Sequence, residues 1–348
     1  MPEKIVKLAV VLFNLGGPDS LAAVEPFLRN LFSDPAILAV PGVVRKPLAW
    51  FIARRRAPVA RAIYARLGDA SPIVAETQRQ SAALDGLLAQ HGIEAKCFIA
   101  MRCWHPFSDE AVRAAKAWGA ERVVLLPLYP QFSTTTTASS FADWDRAARR
   151  AGLELPTARI CCYPDSRGFV AASAALIREV LAKTRPGLGY RLLLSAHGLP
   201  KRTIARGDPY QWQVERTAAA IVDALGMDGL DWKVCYQSRV GPLEWIGPAT
   251  DSEIRRAGAD GKGVIVAPIA FVSEHSETLV ELDIEYAHLA KLAGVADYLR
   301  VPTVGIHPDF VAALADLVLR GSTVQGTISA GGVRLCLDSF GACPCGRI

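Results

Sequence analysis

Long apolar runs are missing from this 348-residue chain. No stretch of about 18 uninterrupted apolar residues occurs, so no transmembrane helix is expected. Strong charge of one sign is missing too. The net charge of +5 is mild, and without a long basic run no nucleic-acid partner is expected. G-x-G-x-x-G, a Walker phosphate loop, G-x-S-x-G and H-E-x-x-H are all absent. The usual signatures of dinucleotide binding, nucleotide hydrolysis, serine hydrolysis and zinc proteolysis are thereby removed. Lys4 and Lys7 precede an apolar run at 8–15 that is too short for a signal peptide and ends in Gly16-Gly17-Pro18. It reads as a first buried strand, and the protein is expected to be cytoplasmic. Eight cysteines in that setting argue against a disulfide framework.

What is present is a chain of 51% hydrophobic residues, enough for a large core and long enough for two domains. Apolar, β-branched runs fall at 8–15, 97–101, 123–128, 158–163, 192–196, 233–236 and 264–270. Between them, 21–32, 72–91, 108–118, 140–151, 168–184, 212–225 and 308–319 have helical spacing. Continuous apolar strands separated by helices predict parallel sheets covered on both faces. There is also an internal echo. Leu12-Phe-Asn-Leu-Gly-Gly-Pro18 resembles Leu194-Ser-Ala-His-Gly-Leu-Pro200, and Pro106 and Pro127 recur in order as Pro242 and Pro268. The expectation is an α/β fold of two Rossmann-like, doubly wound lobes dividing near residue 170. The lobes span 1–170 and 171–325, and a cysteine-bearing tail spans 326–348.

The densest chemical signal is Phe271-Val-Ser-Glu-His-Ser-Glu-Thr-Leu-Val-Glu-Leu-Asp-Ile-Glu-Tyr286, which follows a strand-like run. At about 100° per residue, Glu274, Glu277, Glu281 and Glu285 fall within roughly 80° on an α-helix. Carboxylates at i,i+4 repel one another. Such a face is either bathed in water or built to handle a cation, and periodicity leaves both readings open. His197 ends a strand before Gly198 and Pro200. In doubly wound sheets ligands bind beyond strand carboxyl ends, so this histidine is a candidate metal ligand or proton acceptor. A histidine with a carboxylate across a cleft is a minimal site for a divalent cation or for proton removal.

Other segments keep two readings. Ser133-Thr-Thr-Thr-Thr-Ala-Ser-Ser140 is either capping chemistry or a polar cleft wall, at the place the acidic segment occupies in the second lobe. Arg54-Arg55-Arg56 after Pro47-Leu-Ala-Trp-Phe-Ile-Ala53 is either a helix end dressed with cations or an apolar lip with anion-binding guanidiniums. Cys336, Cys343 and Cys345 form a C-x6-C-x-C cluster in the last thirteen residues.

Together these residues resemble one family, ferrochelatase, over nearly the whole chain. The specific parts are Leu12–Pro18, Ser195-Ala-His-Gly-Leu-Pro200, Gln237-Ser-Arg-Val-Gly-Pro242 with Trp245-Ile-Gly-Pro248, and the acidic segment. The resemblance implies a class II chelatase-like fold and insertion of Fe²⁺ into protoporphyrin IX, giving haem and releasing two protons. It implies that His197 and Glu277 form the catalytic and metal-site pair, with Glu274, Glu281 and Glu285 as an acidic path. By the same likeness, Arg56, Tyr64 and Ser71 contact the porphyrin. Some ferrochelatases carry a [2Fe–2S] cluster on four cysteines. Cys336, Cys343 and Cys345 match three of these, and Cys161 or Cys162 the fourth, with a structural zinc as the other occupant weighed. The lipophilic substrate and product imply a peripheral contact with a membrane surface. Other tetrapyrroles, other metals and a non-catalytic haem or iron carrier are the alternatives. No oligomeric state is implied.

Overall fold

The protein is described by a computed structural model covering residues 6–239, 241 and 243–346; Pro242 of the internal echo lies outside the described residues. The chain forms two compact units. The first comprises Met1–Tyr163, Val311–Leu335 and Pro344–Ile348, and the second Pro164–Phe310 with Cys336–Cys343.

The first unit is built on β1 (Leu8–Asn14), β2 (Ala95–Met101), β3 (Arg122–Pro127), β4 (Thr157–Ile160) and, from the far end of the chain, β9 (Gly326–Ile328). They lie in the order β2-β1-β3-β4-β9, all parallel. All seven residues of β1 are buried, as an uninterrupted apolar strand flanked on both edges requires. Successive side chains point to opposite faces. Ala9, Val11 and Phe13 pack on helices Ser108–Trp118 and Thr137–Ala151, where Phe13 meets Phe141 edge-on at 5.9 Å. On the other face helix Pro308–Ser322 brings Gly321 against Val124.

The second unit uses β5 (Tyr190–His197), β6 (Trp232–Gln237), β7 (Gly263–Pro268) and β8 (Tyr298–Arg300). Their order is β6-β5-β7-β8, again all parallel. Leu192, Leu194 and Ala196 face helices Arg167–Leu181 and Tyr210–Leu225, while Leu193 faces helix Thr250–Ala259. The two sheets share one order, with β5, β6, β7 and β8 in the places of β1, β2, β3 and β4. Pro127 and Pro268, read as an echo, are the last residues of β3 and β7.

The sequence reading differs from the structure in two places. Residues 311–325, expected in the second lobe, return to the first, where Arg122 Nη1 donates to Val324 O at 2.8 Å and β9 extends the sheet beside β4. The basic cluster is no helix end. It sits inside the 24-residue helix Gly42–Ala65, despite Pro47 and Pro58. There i,i+4 spacing lays Arg54 over Trp50 at 5.5 Å and Arg55 over Phe51 at 5.8 Å.

Gly258, inside helix Thr250–Ala259, marks a close approach. A Cβ there would stand 2.1 Å from the carbonyl oxygen of Ala293. Gly→Ala in a helix interior ordinarily stabilises by about 1 kcal/mol. Gly258→Ala is expected to destabilise instead, by about 1–3 kcal/mol of overpacking. Gly86→Ala, in the open interior of helix Ile73–Gln90, should keep the ordinary sign. Urea unfolding midpoints of the two variants check both.

Candidate active site

β5 is hydrogen-bonded on both edges and ends at His197. Strands β6 and β7 lie on opposite sides of it, which makes its carboxyl end a topological switch point. Gly198 continues the chain there because a Cβ would meet Gln237 O at 3.0 Å, and its N–H donates to that oxygen at 2.9 Å. Tyr210, from the helix beneath, donates its hydroxyl to His197 O at 3.0 Å. The histidine is thus fixed at its backbone before its ring makes any bond.

The acidic segment leaves the end of β7. It is a π-helix over Glu277–Tyr286, where an α-helix is the sequence expectation. Its i→i+5 hydrogen bonding widens the turn, a form concentrated at functional sites. Tyr298 of β8 donates to Leu282 O at 2.8 Å, a side-chain insertion of the kind that breaks a regular helical ladder. Thr278, Val280 and Leu282 are buried, and Glu277 and Glu281 look back at the strand ends.

His197 Nδ1 and Glu277 Oε2 are 2.7 Å apart, with 37% of the imidazole and 25% of the carboxylate side chain exposed. Among the described residues Nε2 of the imidazole has no hydrogen-bond partner, so it remains available to substrate. The Ser238 hydroxyl touches both Glu277 Oε2, at 2.9 Å, and Glu281 Oε2. Glu281 also accepts from Ser238 N at 2.8 Å, from Gln237 Nε2 at 3.1 Å and from the Tyr286 hydroxyl at 3.1 Å. Gln237 is held by Ser195, whose hydroxyl donates to its Oε1 at 2.8 Å. His275 is buried nearby and engages Ser273 O at 3.0 Å through Nδ1.

The two carboxylates are driven apart electrostatically. Burial would raise Glu277, but the charge and hydrogen bond of His197, with His275 and Ser238, hold it down at about 2. Burial and the Glu277 charge both raise Glu281, against the hydrogen bonds from Ser238 and Gln237. Burial alone would lower His197, but Glu277 and Glu281 reverse this and raise it above 6.5. One carboxylate stays ionised while its neighbour holds a proton more readily, a separation typical of acid–base sites.

The glutamates read as one stripe do not stay together. Glu277 and Glu281 share Ser238, whereas Glu285 is exposed near the far end of the π-helix. Glu274 precedes that helix and belongs to another network. Its Oε1 accepts from Arg300 Nη1 at 2.6 Å and from Thr303 N at 2.9 Å. Arg300 also grips Asp283 through two bonds of 2.7 and 2.6 Å. Burial would raise Glu274, and Arg300 overcomes it and lowers it. Gln237, Ser238, Tyr286 and Arg300 are the functional neighbours that residue-by-residue reading leaves unassigned. Gln237 and Ser238 carry one signal: they end a strand beside the strand of His197.

In the first unit, Ser71 lines a cavity of about 430 Å³ with Gly17, Asp19, Gln78 and His105. Tyr64 is buried in an apolar cluster with Phe27 and Ala57, and exposed Arg56 lies over the Phe32 ring at 5.7 Å. Arg102, beyond the end of β2, pairs with buried Asp34 at 2.8 Å and donates to Ser139 of the hydroxyl-rich run at 2.7 Å.

The cysteines of the tail are buried free thiols. Within the first unit Cys161 Sγ lies 3.1 Å from Cys345 Sγ and 3.4 Å from Cys162 Sγ. These contacts, then burial, push the Cys161 thiol up. Within the second unit Gln213 Nε2 donates to Cys336 Sγ at 3.1 Å. Among the described residues no group of three or more His, Cys, Asp and Glu side chains is arranged to hold a metal ion.

The sign of the pH dependence follows from these shifts. The depressed Glu277 carboxyl adds stability above pH 4.5 that is lost as pH falls toward 2. The raised His197 adds stability that is full below pH 6.5 and lost as pH rises through its folded value. The pair therefore contributes fully between pH 4.5 and 6.5. In Glu277→Gln the imidazole keeps its burial but loses its nearest charge, and its pKa should fall below 6.5. NMR titration of the His197 ring checks this; a value held above 6.5 would leave Glu281 as the sole cause.

Comparison with known proteins identifies the family and the fold. The sequence profile described as Ferrochelatase matches residues 7–322. The ferrochelatase of Caulobacter vibrioides (strain NA1000 / CB15N) is 53% identical over 343 residues, covering 97% of each chain. That of Phenylobacterium zucineum (strain HLK1) is 51% identical, covering 98% of each, and that of Pelagibacter ubique (strain HTCC1062) is 45% identical, covering 98% of this chain and 99% of the relative. Among solved structures, the cobalt complex of the sirohydrochlorin chelatase SirB from Bacillus subtilis subspecies spizizenii shares the fold. It has a TM-score of 0.51 at 12% identity, covering 91% of this chain and 94% of that one. The two parallel sheets are therefore of the class II chelatase kind, and the chain belongs to the ferrochelatase family.

Proposed function

We propose that this enzyme inserts Fe²⁺ into protoporphyrin IX to form haem, with His197 and Glu277 as the metal and proton-transfer pair. The observation that carries the reading is the 2.7 Å bond between His197 Nδ1 and Glu277 Oε2 at the end of β5. Two pyrrole N–H protons must leave as iron enters. The free Nε2 of His197 accepts one, and Glu277, bonded to the opposite nitrogen, stabilises the imidazolium that forms. Carboxylates replace the hydration shell of the incoming cation in steps. Exposed Glu285 is the outer member of that path and half-buried Glu281 the next. Glu274 acts through Arg300, not as a ligand on the path.

Arg56, Tyr64 and Ser71 are proposed porphyrin contacts, Ser71 through the cavity it lines. Guanidinium groups suit the two propionates. Val43, Trp50, Phe51 and Val59 are exposed on the helix that carries Arg54–Arg56. Apolar side chains beside cations favour a peripheral contact with a membrane surface. No described helix is long and apolar enough to cross one. Buried free thiols suit a reducing, cytoplasmic setting.

A [2Fe–2S] cluster is proposed on Cys336, Cys343, Cys345 and Cys161. The donor chemistry fits: buried thiols without disulfides, one of them accepting an amide N–H from Gln213, a bond that stabilises thiolate ligands. Cys161 is favoured over Cys162 because its sulfur meets Cys345. Such a group would supply one-electron redox character; metal insertion needs no electron.

Purified protein is expected to turn over Fe²⁺ with protoporphyrin faster than with coproporphyrin. His197→Ala and Glu277→Ala should each lose about 10²–10⁴-fold in kcat. A haem or iron carrier would bind without turnover and leave both variants unaffected. Visible absorption of anaerobically purified protein tests the cluster. Cys161→Ser should abolish the iron–sulfur bands while Cys162→Ser keeps them; the reverse result would exchange the two assignments.

A further inference from the structure

Ser238 is the first residue beyond β6, and it adopts a left-handed backbone conformation with φ of 60°. Serine gains nothing intrinsic from that conformation, since a Cβ disfavours it. Strain of this kind persists where the surrounding structure uses it. Here it aims the hydroxyl at the carboxylates that the backbone N–H already meets. Ser238 N donates to Glu281 Oε1 at 2.8 Å, and the hydroxyl reaches Glu281 Oε2 and, at 2.9 Å, Glu277 Oε2. An extended backbone would carry the hydroxyl away from both carboxylates, while the N–H, set by the peptide plane before it, would stay on Glu281.

We infer that Ser238 is a positioning residue that binds the carboxylates of Glu277 and Glu281 into one unit for handling iron. The inference rests on the iron-insertion reading. The other bonds divide the labour. Gln237 Nε2 donates to Glu277 O and Glu281 Oε2, both at 3.1 Å, and Tyr286 donates to Glu281 Oε1 at 3.1 Å. Neither touches the Glu277 carboxylate. The Ser238 hydroxyl alone, among the described residues, contacts oxygens of both side chains. Glu277 is otherwise bonded to His197, and Glu281 to Gln237, Ser238 N and Tyr286, so without the hydroxyl no side chain joins the two carboxylates to each other. Groups that orient metal-handling ligands are commonly worth about 10–100-fold in metal affinity or activity.

Glycine separates this role from a merely structural one. Ser238→Gly relaxes the left-handed backbone and keeps the N–H bond to Glu281, but deletes the hydroxyl bridge. Its melting temperature should equal or exceed the parent's. Its KM for Fe²⁺ should rise about 10-fold or more, with KM for the porphyrin changed less than about twofold. Ser238→Ala should show the same iron-specific rise. An unchanged iron KM in Ser238→Gly would overturn the inference, as would an equal rise in both KM values. Failure of the parent protein to insert iron would sink the iron-insertion reading itself, a distinct outcome.

Discussion

The hydrogen bond between His197 and Glu277 joins two parts of the chain eighty residues apart, and the rest of the second unit can be read as its support. The imidazole is held from behind by the end of a strand that is paired on both edges. The carboxylate is held by the first turn of a helix whose far side is anchored by Val280 and Leu282 in the core. Neither element is free to move alone, because β7, which feeds the helix, is the neighbour of β5. An ion pair this close to solvent contributes little to stability by itself. Its worth is chemical: it sets the proton affinities of both members and fixes which imidazole nitrogen faces outward.

Around that bond the protein separates two acidic networks that a helical wheel merges. Arg300 takes Glu274 and Asp283, offsetting part of their charge and tying the π-helix to β8. Glu277 and Glu281 keep their charge interaction because no arginine or lysine is bonded to either of them among the described residues. Five uncompensated carboxylates would repel without purpose. With Glu274 and Asp283 paired to Arg300 and Glu285 in solvent, the closest unpaired repulsion is between Glu277 and Glu281.

The fold was largely legible because its strands are continuous apolar runs. All seven runs became parallel strands, since burial on both faces demands apolar residues at every position. β8 and β9, at three residues each, are too short to show a pattern. Helix Gly42–Ala65 was hidden by Pro47 and Pro58, which ordinarily punctuate a helix. His197 and Glu277 could be singled out as candidates because strand-end position and residue type coincide there, and the structure brings them within 2.7 Å of each other. The grouping of the glutamates was not. It assumed α-helical spacing throughout, whereas Glu274 lies before a π-helix, and its partner Arg300 comes from a strand no periodicity revealed. Ser238 was quoted only as part of a motif, because a left-handed serine leaves no mark in composition or spacing.

The shared strand order gives the asymmetry of the two units a physical meaning. β1 ends in Asn14 and β5 in His197. Asn14 spends its side chain internally, donating to Thr77 Oγ1 at 3.2 Å and accepting from Leu15 N at 2.9 Å. The imidazole in the equivalent place keeps one nitrogen unbonded. After β3 comes a run of hydroxyls, and after β7 a run of carboxylates. The first unit meets the buried carboxylates of Asp34 and Asp143 with Arg102, while the second leaves Glu277 facing a histidine. A single scaffold thus carries a hydroxyl-rich strand-end cluster in one copy, with its carboxylates paired to Arg102, and a carboxylate–histidine cluster in the other. The same strand order therefore does not impose the same chemistry: the residue that ends the first strand of each sheet, amide in one and imidazole in the other, decides whether a proton acceptor stands there.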